Sequence, residues 1–93
     1  MEFEWDEDKR LANLAKHGFD FERARMIFDG RPVFQAPSPY VEEHRFLTTA
    51  ILDEVYVTAV WTLRQGAIRF ISVRRARDAE KRSYRSLHGA GDR

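Results

Sequence analysis

Eight basic residues crowd the stretch from Arg64 to Arg85: Arg64, Arg69, Arg74, Arg75, Arg77, Lys81, Arg82 and Arg85. Only two acids, Asp78 and Glu80, oppose them, which leaves a local charge of +6 in a chain whose formal total is +1. Residues 1–8 hold five acids and no base, so the balanced total conceals a dipolar molecule. Thirteen of the sixteen basic residues are arginine. A guanidinium presents a planar fork that matches phosphate and stacks on bases. Clustered beside an apolar, β-branched run, such groups predict a phosphate-reading surface on a sheet and on the helix that follows it.

Three further groups are able to move protons. His17 precedes Gly18 at a predicted helix end, where an imidazolium is favoured by the negative helix terminus and also titrates near neutrality. It reads as a C-terminal helix charge or as a general acid or base. Glu80 and Tyr84 stand at i, i+4 and share a helix face. They read as a surface Glu over a half-buried Tyr, or as a paired carboxylate and phenol. Lys9 and Lys16 belong either to a solvated helix face or to a phosphate contact. Arg77 and Lys81 form a like-charged i, i+4 pair, which an anion would neutralise.

Other chemistries lack their residues. The chain has no cysteine, so it has no disulfide, thiolate metal site or thiol nucleophile. His17, His44 and His88 are too widely spaced for a metal motif, and no P-loop, Gly-rich dinucleotide turn or nucleophile elbow is present. No metal or cofactor is expected. Without a basic-then-apolar leader or a long apolar run, the sequence reads as a cytoplasmic domain. Ninety-three residues fit a single domain, 1–93.

The elements that must position these groups follow from capping and periodicity. Met1–Trp5 alternates and suits a short edge strand or arm. Asp6 caps a helix that runs to His17 and stops at Gly18, with Leu11, Leu14 and Ala15 as its buried stripe and Lys9, Asn13 and Lys16 on another face. Asp20 caps a second helix, Phe21 to about Asp29. Pro32, Pro37 and Pro39 predict an extended, looping stretch. Arg45–Leu52 and Val55–Leu63 form a hairpin turning at Asp53-Glu54, and Arg64-Gln65-Gly66 is the next turn. Ala67–Val73 carries apolar residues on both faces, as a central strand does. A last helix spans about Ala76 to Leu87, and residues 89–93 are a loose tail. The class is α+β, with helices packed on an antiparallel sheet. Arg74 and Arg75, being adjacent in a strand, point to opposite faces. Arg64 and Arg74 stand about a strand length apart, which suits an extended polyanion better than a single pocket.

Two blocks of the sequence also resemble a known family. Phe3–Lys9 (FEWDEDK), Asn13, Lys16–Phe21 (KHGFDF) and Ala24 with Phe28 resemble the start of the BrnT-type toxins. Ile68–Ala76 (IRFISVRRA), Glu80 and Tyr84 resemble that family's C-terminal signature. The resemblance implies a RelE-like fold: two N-terminal helices, a twisted antiparallel sheet of about four strands and a C-terminal helix. It implies a ribonuclease toxin of a type II toxin–antitoxin system that arrests growth. It further implies a ribbon-helix-helix, DNA-binding antitoxin that covers the toxin and carries the complex to promoter DNA.

On that basis the expected chemistry is metal-free RNA cleavage. The ribose 2′-OH attacks the adjacent phosphorus while a base takes its proton, cations hold the phosphate oxygens and an acid protonates the leaving 5′ oxygen. The catalytic candidates are Arg64, Arg74, Arg75, His17, Glu80 and Tyr84, and the RNA-binding candidates are Lys9, Lys16, Arg69, Arg77 and Lys81. The rival reading is a non-catalytic nucleic-acid-binding or protein-interaction module that uses the same basic surface.

Overall fold

A computed structural model of the chain describes residues 1–39 and 44–89. The expected tail from residue 90 onward and the middle of the expected loop, residues 40–43, lie outside them. Five strands form one sheet: β1 (Phe3–Glu4), β2 (Phe34–Pro37), β3 (Arg45–Leu52), β4 (Val55–Arg64) and β5 (Ala67–Arg75), in the spatial order β1-β5-β4-β3-β2. Helices α1 (Glu7–His17) and α2 (Phe21–Ala24), with a 3-10 turn over Arg25–Phe28, precede β2, and α3 (Asp78–His88) follows β5.

The helix ends obey local chemistry. The Asp6 carboxylate accepts from the Asp8 and Lys9 N–H groups at 2.8 and 3.3 Å. Gly18, at φ 79°, closes α1 with its N–H on the Leu14 carbonyl. Only a residue without Cβ takes that left-handed conformation freely. Asp20 caps α2 through the Glu22 N–H and also accepts two hydrogen bonds from Arg10, at 3.1 and 3.0 Å, which ties the two helices together.

The class is α+β as expected, but the sheet is mixed and has five strands. β2 is the added strand. It pairs antiparallel with β3 from Phe34↔Thr49 to Pro37↔Phe46. Its one proline, Pro37, is tolerated because the strand lies at an edge, where a missing N–H breaks no ladder. The Met1–Trp5 arm supplies β1, which pairs parallel with β5 at Phe3↔Ile68 and Glu4↔Arg69. A parallel neighbour requires a long crossover, and all the elements between β1 and β5 provide it.

The helix 1 stripe is a correction. Leu11 and Leu14 are 49% and 39% exposed, and Ala15 is exposed as well. Helix α1 instead packs through Arg10, Asn13 and His17. Asn13 is buried, and its carboxamide continues the sheet edge beyond β1. It donates to the Val73 and Phe19 carbonyls at 2.9 Å each and accepts from the Val73 N–H at 3.0 Å. A helix flank with a bidentate amide thus satisfies a strand edge that would otherwise lose two bonds.

The second correction concerns β5. Val60 pairs with Ser72 and Trp61 with Phe70, so Ile71 has no partner. This β-bulge switches the alternation of the strand. Ile68, Phe70 and Val73 then all face one core, and Ile71 does not have to be buried on a second one. The core lies between the sheet and α2: Phe21, Ala24 and Ile27 pack on Val57, Ala59, Trp61, Ile68, Phe70 and Val73. Phe70 lies at its centre, with ring centroids of Phe21, Phe3 and Phe28 at 5.6, 5.7 and 6.0 Å.

The opposite face of the sheet is only partly covered. Helix α3 lies over its β2–β3–β4 end, where Tyr84 meets Tyr56 edge-on at 5.5 Å and His88 contacts the Val33 carbonyl at 2.7 Å. The rest of that face is open, and it carries the candidate site.

Candidate nucleic-acid interface

Two tight turns bring distant residues into one row. The β3–β4 turn has Asp53 and Glu54 at φ 52° and 69°, and the β4–β5 turn has Gln65 and Gly66 at φ 53° and 83°. Paired left-handed residues give the turn whose twist suits a two-residue hairpin. These turns set Arg45 opposite Thr62 and Thr62 opposite Arg69, while the β1 pairing sets Arg69 beside Glu4. Glu4, Arg69, Thr62 and Arg45 therefore form a lateral row across four strands on the open face. At roughly 4.8 Å between strands the row is about 14 Å long. Arg64, paired with Ala67, lies on the same face at the end of β4.

Above this row is a groove of about 440 Å³, lined by Lys9, His44, Arg45, Thr62, Leu63, Arg64, Arg69 and Ile71. A second recess of about 250 Å³ is lined by Lys9, Ala12, Asn13, Lys16, His17, Ile71 and Ser72. Lys9 and Ile71 border both, so the two recesses form one channel along the flank of α1. Five strong cations (Lys9, Lys16, Arg45, Arg64 and Arg69) and two histidines line it.

Of the described carboxylates, only Glu4 lies within 4 Å of Arg64 or Arg69: its Oε2 is 3.2 Å from Arg69 Nη1 and 4.0 Å from Arg64 Nε. Arg64 remains 61% exposed, and Arg69 27%.

The other expected residues divide by position. Arg74 and Arg75 point to opposite faces as the alternation requires. Arg74, opposite Thr58, lies on the same face as the row but at the part that α3 covers, and Arg75, opposite Val57, is on the core side. Arg64 and Arg74 are six residues apart along the β4 register, roughly 20 Å, so they share no pocket. Arg74 is held by Glu80 in a two-pronged pair, Nη1–Oε1 and Nη2–Oε2, both 2.9 Å. Both side chains are nearly covered, 14% and 15% exposed.

Glu80 also accepts from the Thr58 hydroxyl at 2.9 Å and the Arg77 N–H at 2.8 Å. The chain of contacts continues from Thr58 to Thr49 at 2.7 Å. Burial pushes the Glu80 carboxyl up, and the Arg74, Arg77 and Thr58 hydrogen bonds outweigh it and hold the group at about 2. With four donors on its two oxygens, Glu80 braces α3 against the sheet and has little basicity left.

Tyr84 is buried, its phenol pushed up by desolvation, and it packs between Tyr56 and His88. Arg77 stands exposed at the start of α3, and Lys81 lies 3.8 Å from Asp78. Neither of them lines the channel.

The sequence reading missed His44 and Arg45. The signal for Arg45 was present, since counting back from the Asp53-Glu54 turn places it beside Thr62. Arg64, expected in the next turn, is instead the last residue of β4 and pairs with Ala67, which moves Arg69 rather than Ile68 beside Thr62. Glu4 was beyond such counting, because its place depends on a parallel pairing across most of the chain.

Among the described residues no cluster of three potential metal-binding side chains occurs, and no helix is long and apolar enough to cross a membrane. Compared with known families, residues 5–80 match the model described as a ribonuclease toxin, BrnT, of type II toxin–antitoxin system. No curated protein matches the chain.

Proposed function

We propose that this chain, which belongs to the BrnT family of ribonuclease toxins of type II toxin–antitoxin systems, cleaves RNA without a metal in the channel between α1 and the open sheet face. The observation that carries this reading is the convergence of Lys9, Arg45, Arg64 and Arg69, from four different elements, on one groove. Phosphate oxygens that gain charge during in-line attack are stabilised by such preorganised cations. The reaction is attack of the 2′ oxygen on phosphorus, with departure of the 5′ oxygen. His44, which borders the groove, gives the departing oxygen its proton. Lys16 and His17 extend the cationic track for the neighbouring nucleotides. Arg74, Glu80 and Tyr84 support the reaction by fixing α3 and the end of β5.

A type II toxin has a protein antitoxin as its partner. Here the partner is a ribbon-helix-helix protein that covers the channel, arrests growth inhibition and brings the complex to its promoter in the cytoplasm. The charge of the channel makes that association fast and sensitive to salt.

The test is incubation of purified protein with RNA, with and without chelator, followed by analysis of the product ends. A 2′,3′-cyclic phosphate and a 5′-hydroxyl that persist in chelator support the mechanism. Salt-dependent binding with intact RNA would replace it with a non-catalytic module.

A further inference from the structure

Beside the channel, against its lining residues Arg64 and Arg69, stands one carboxylate that the reading above leaves without a role. Glu4 opens the lateral row, directly beside Arg69 in the sheet, and its side chain is 38% exposed. Among the described residues its side chain makes one hydrogen bond, which Oε2 accepts from Arg69 Nη1 at 3.2 Å. Oε1 accepts none from the described residues. Glu80, the carboxylate that sequence singles out, is the reverse case: nearly covered, with both oxygens engaged by Arg74 and with Thr58 and the Arg77 N–H on Oε1 as well.

A 2′-OH and its scissile phosphate are neighbours on one ribose. The base that takes the hydroxyl proton must therefore adjoin the cations that hold the phosphate. Glu4 has that adjacency to Arg69 and Arg64, with Lys9 on the same groove.

Resting on the ribonuclease reading, we propose that Glu4 is the general base of the reaction. Oε1 takes the proton of the 2′-OH. The 2′ oxygen forms a bond to phosphorus as the bond from phosphorus to the 5′ oxygen breaks, and that oxygen leaves with a proton from His44. The products are a 2′,3′-cyclic phosphate and a 5′-hydroxyl, and no oxidant, reductant or further reactant is consumed. Arg69 and Arg64 serve twice, orienting the Glu4 carboxylate before the attack and holding the phosphate during it. The edge strand β1, only two residues long, is thus an element of the active site and not only an arm that closes the sheet.

The experiment compares wild type with Glu4→Gln and Glu4→Asp on a mixed-sequence single-stranded RNA. Affinity is read separately on a 2′-O-methyl RNA of the same sequence, which offers no proton to abstract. Gln has the shape of Glu and accepts the same hydrogen bond, and a urea transition coinciding with wild type confirms the fold. The expected result is a 100-fold or greater fall in the cleavage rate for Glu4→Gln, in the range typical of a lost general base. Affinity for the methylated RNA stays at or above wild type, and Glu4→Asp keeps partial activity. Cleavage by Glu4→Gln within threefold of wild type overturns the proposal. Faster cleavage with tighter binding also overturns it and makes Glu4 an anion that competes with phosphate. A wild-type protein that binds RNA but leaves it intact refutes the ribonuclease reading itself, a different result from a wild type that cuts and a Gln variant that cuts equally well.

Discussion

Replacing Glu80 by Ala separates a structural carboxylate from a catalytic one. The change removes a two-pronged ion pair with Arg74, the acceptor for the Arg77 N–H at the start of α3 and the partner of the buried Thr58 hydroxyl. An N-cap acceptor is worth about 1 kcal/mol and a hydrogen bond to a charged group about 1.5–3 kcal/mol. Contributions in one network overlap, and the pair keeps some solvent contact, so the expected loss is about 3 kcal/mol. Stabilities of this size of domain are about 5–15 kcal/mol, and each kcal/mol shifts the midpoint by about 4–8 °C.

The pH dependence has a definite sign. Glu80 is held at about 2, against an ordinary 4.5 in the unfolded chain. Between those values the unfolded chain binds the proton and the folded chain does not. The contribution is therefore complete above about pH 4.5 and fades as pH falls toward 2. Urea unfolding followed by circular dichroism, at pH 7, 5, 4 and 3, measures the wild-type minus Glu80→Ala gap at each pH. The other carboxylates cancel in that difference. A gap that narrows below pH 4.5 supports the reasoning. A loss under 1 kcal/mol, or a gap that does not change with pH, refutes it and returns Glu80 to the list of reacting groups.

Other outcomes follow from the same geometry. Arg64→Ala, at an exposed site with one contact at 4.0 Å, leaves stability within about 0.5 kcal/mol. It weakens RNA binding and lowers the salt slope by about 1, as read by titration at several salt concentrations. Arg74→Ala, by contrast, strands a nearly covered Glu80 and costs about 2–3 kcal/mol in thermal unfolding, so any loss of toxicity follows loss of folded protein. Asn13→Leu leaves the Val73 N–H and carbonyl without partners at the sheet edge and costs about 2–4 kcal/mol in urea unfolding. Phe70→Ala, at the centre of the aromatic core, costs about 3–5 kcal/mol by the same measurement.

Local chemistry was legible in the sequence wherever neighbours along the chain decide conformation. Asp6, Gly18 and Asp20 mark helix ends because capping needs only nearby N–H groups and one left-handed residue. The turn at Asp53-Glu54 follows from the same short-range rules and sets Arg45 beside Thr62. Arg64, read as part of the next turn, instead pairs with Ala67 at the end of β4, and only that pairing set Thr62 beside Arg69. The alternation of β5 put Arg74 and Arg75 on opposite faces without any coordinates. Tertiary structure decided the rest, because it depended on contacts that no short window contains. The Leu11–Leu14 stripe has helical period, yet the strand edge at Val73 needed a bidentate amide, and Asn13 rotated the helix to supply it. The bulge at Ile71 changed which side chains of β5 meet the core. Glu80 looked available on its helix, and a guanidinium arriving from β5 took both of its oxygens. Glu4 looked like one acid among five at the N-terminus, and only pairing with a strand more than sixty residues away set it among the arginines.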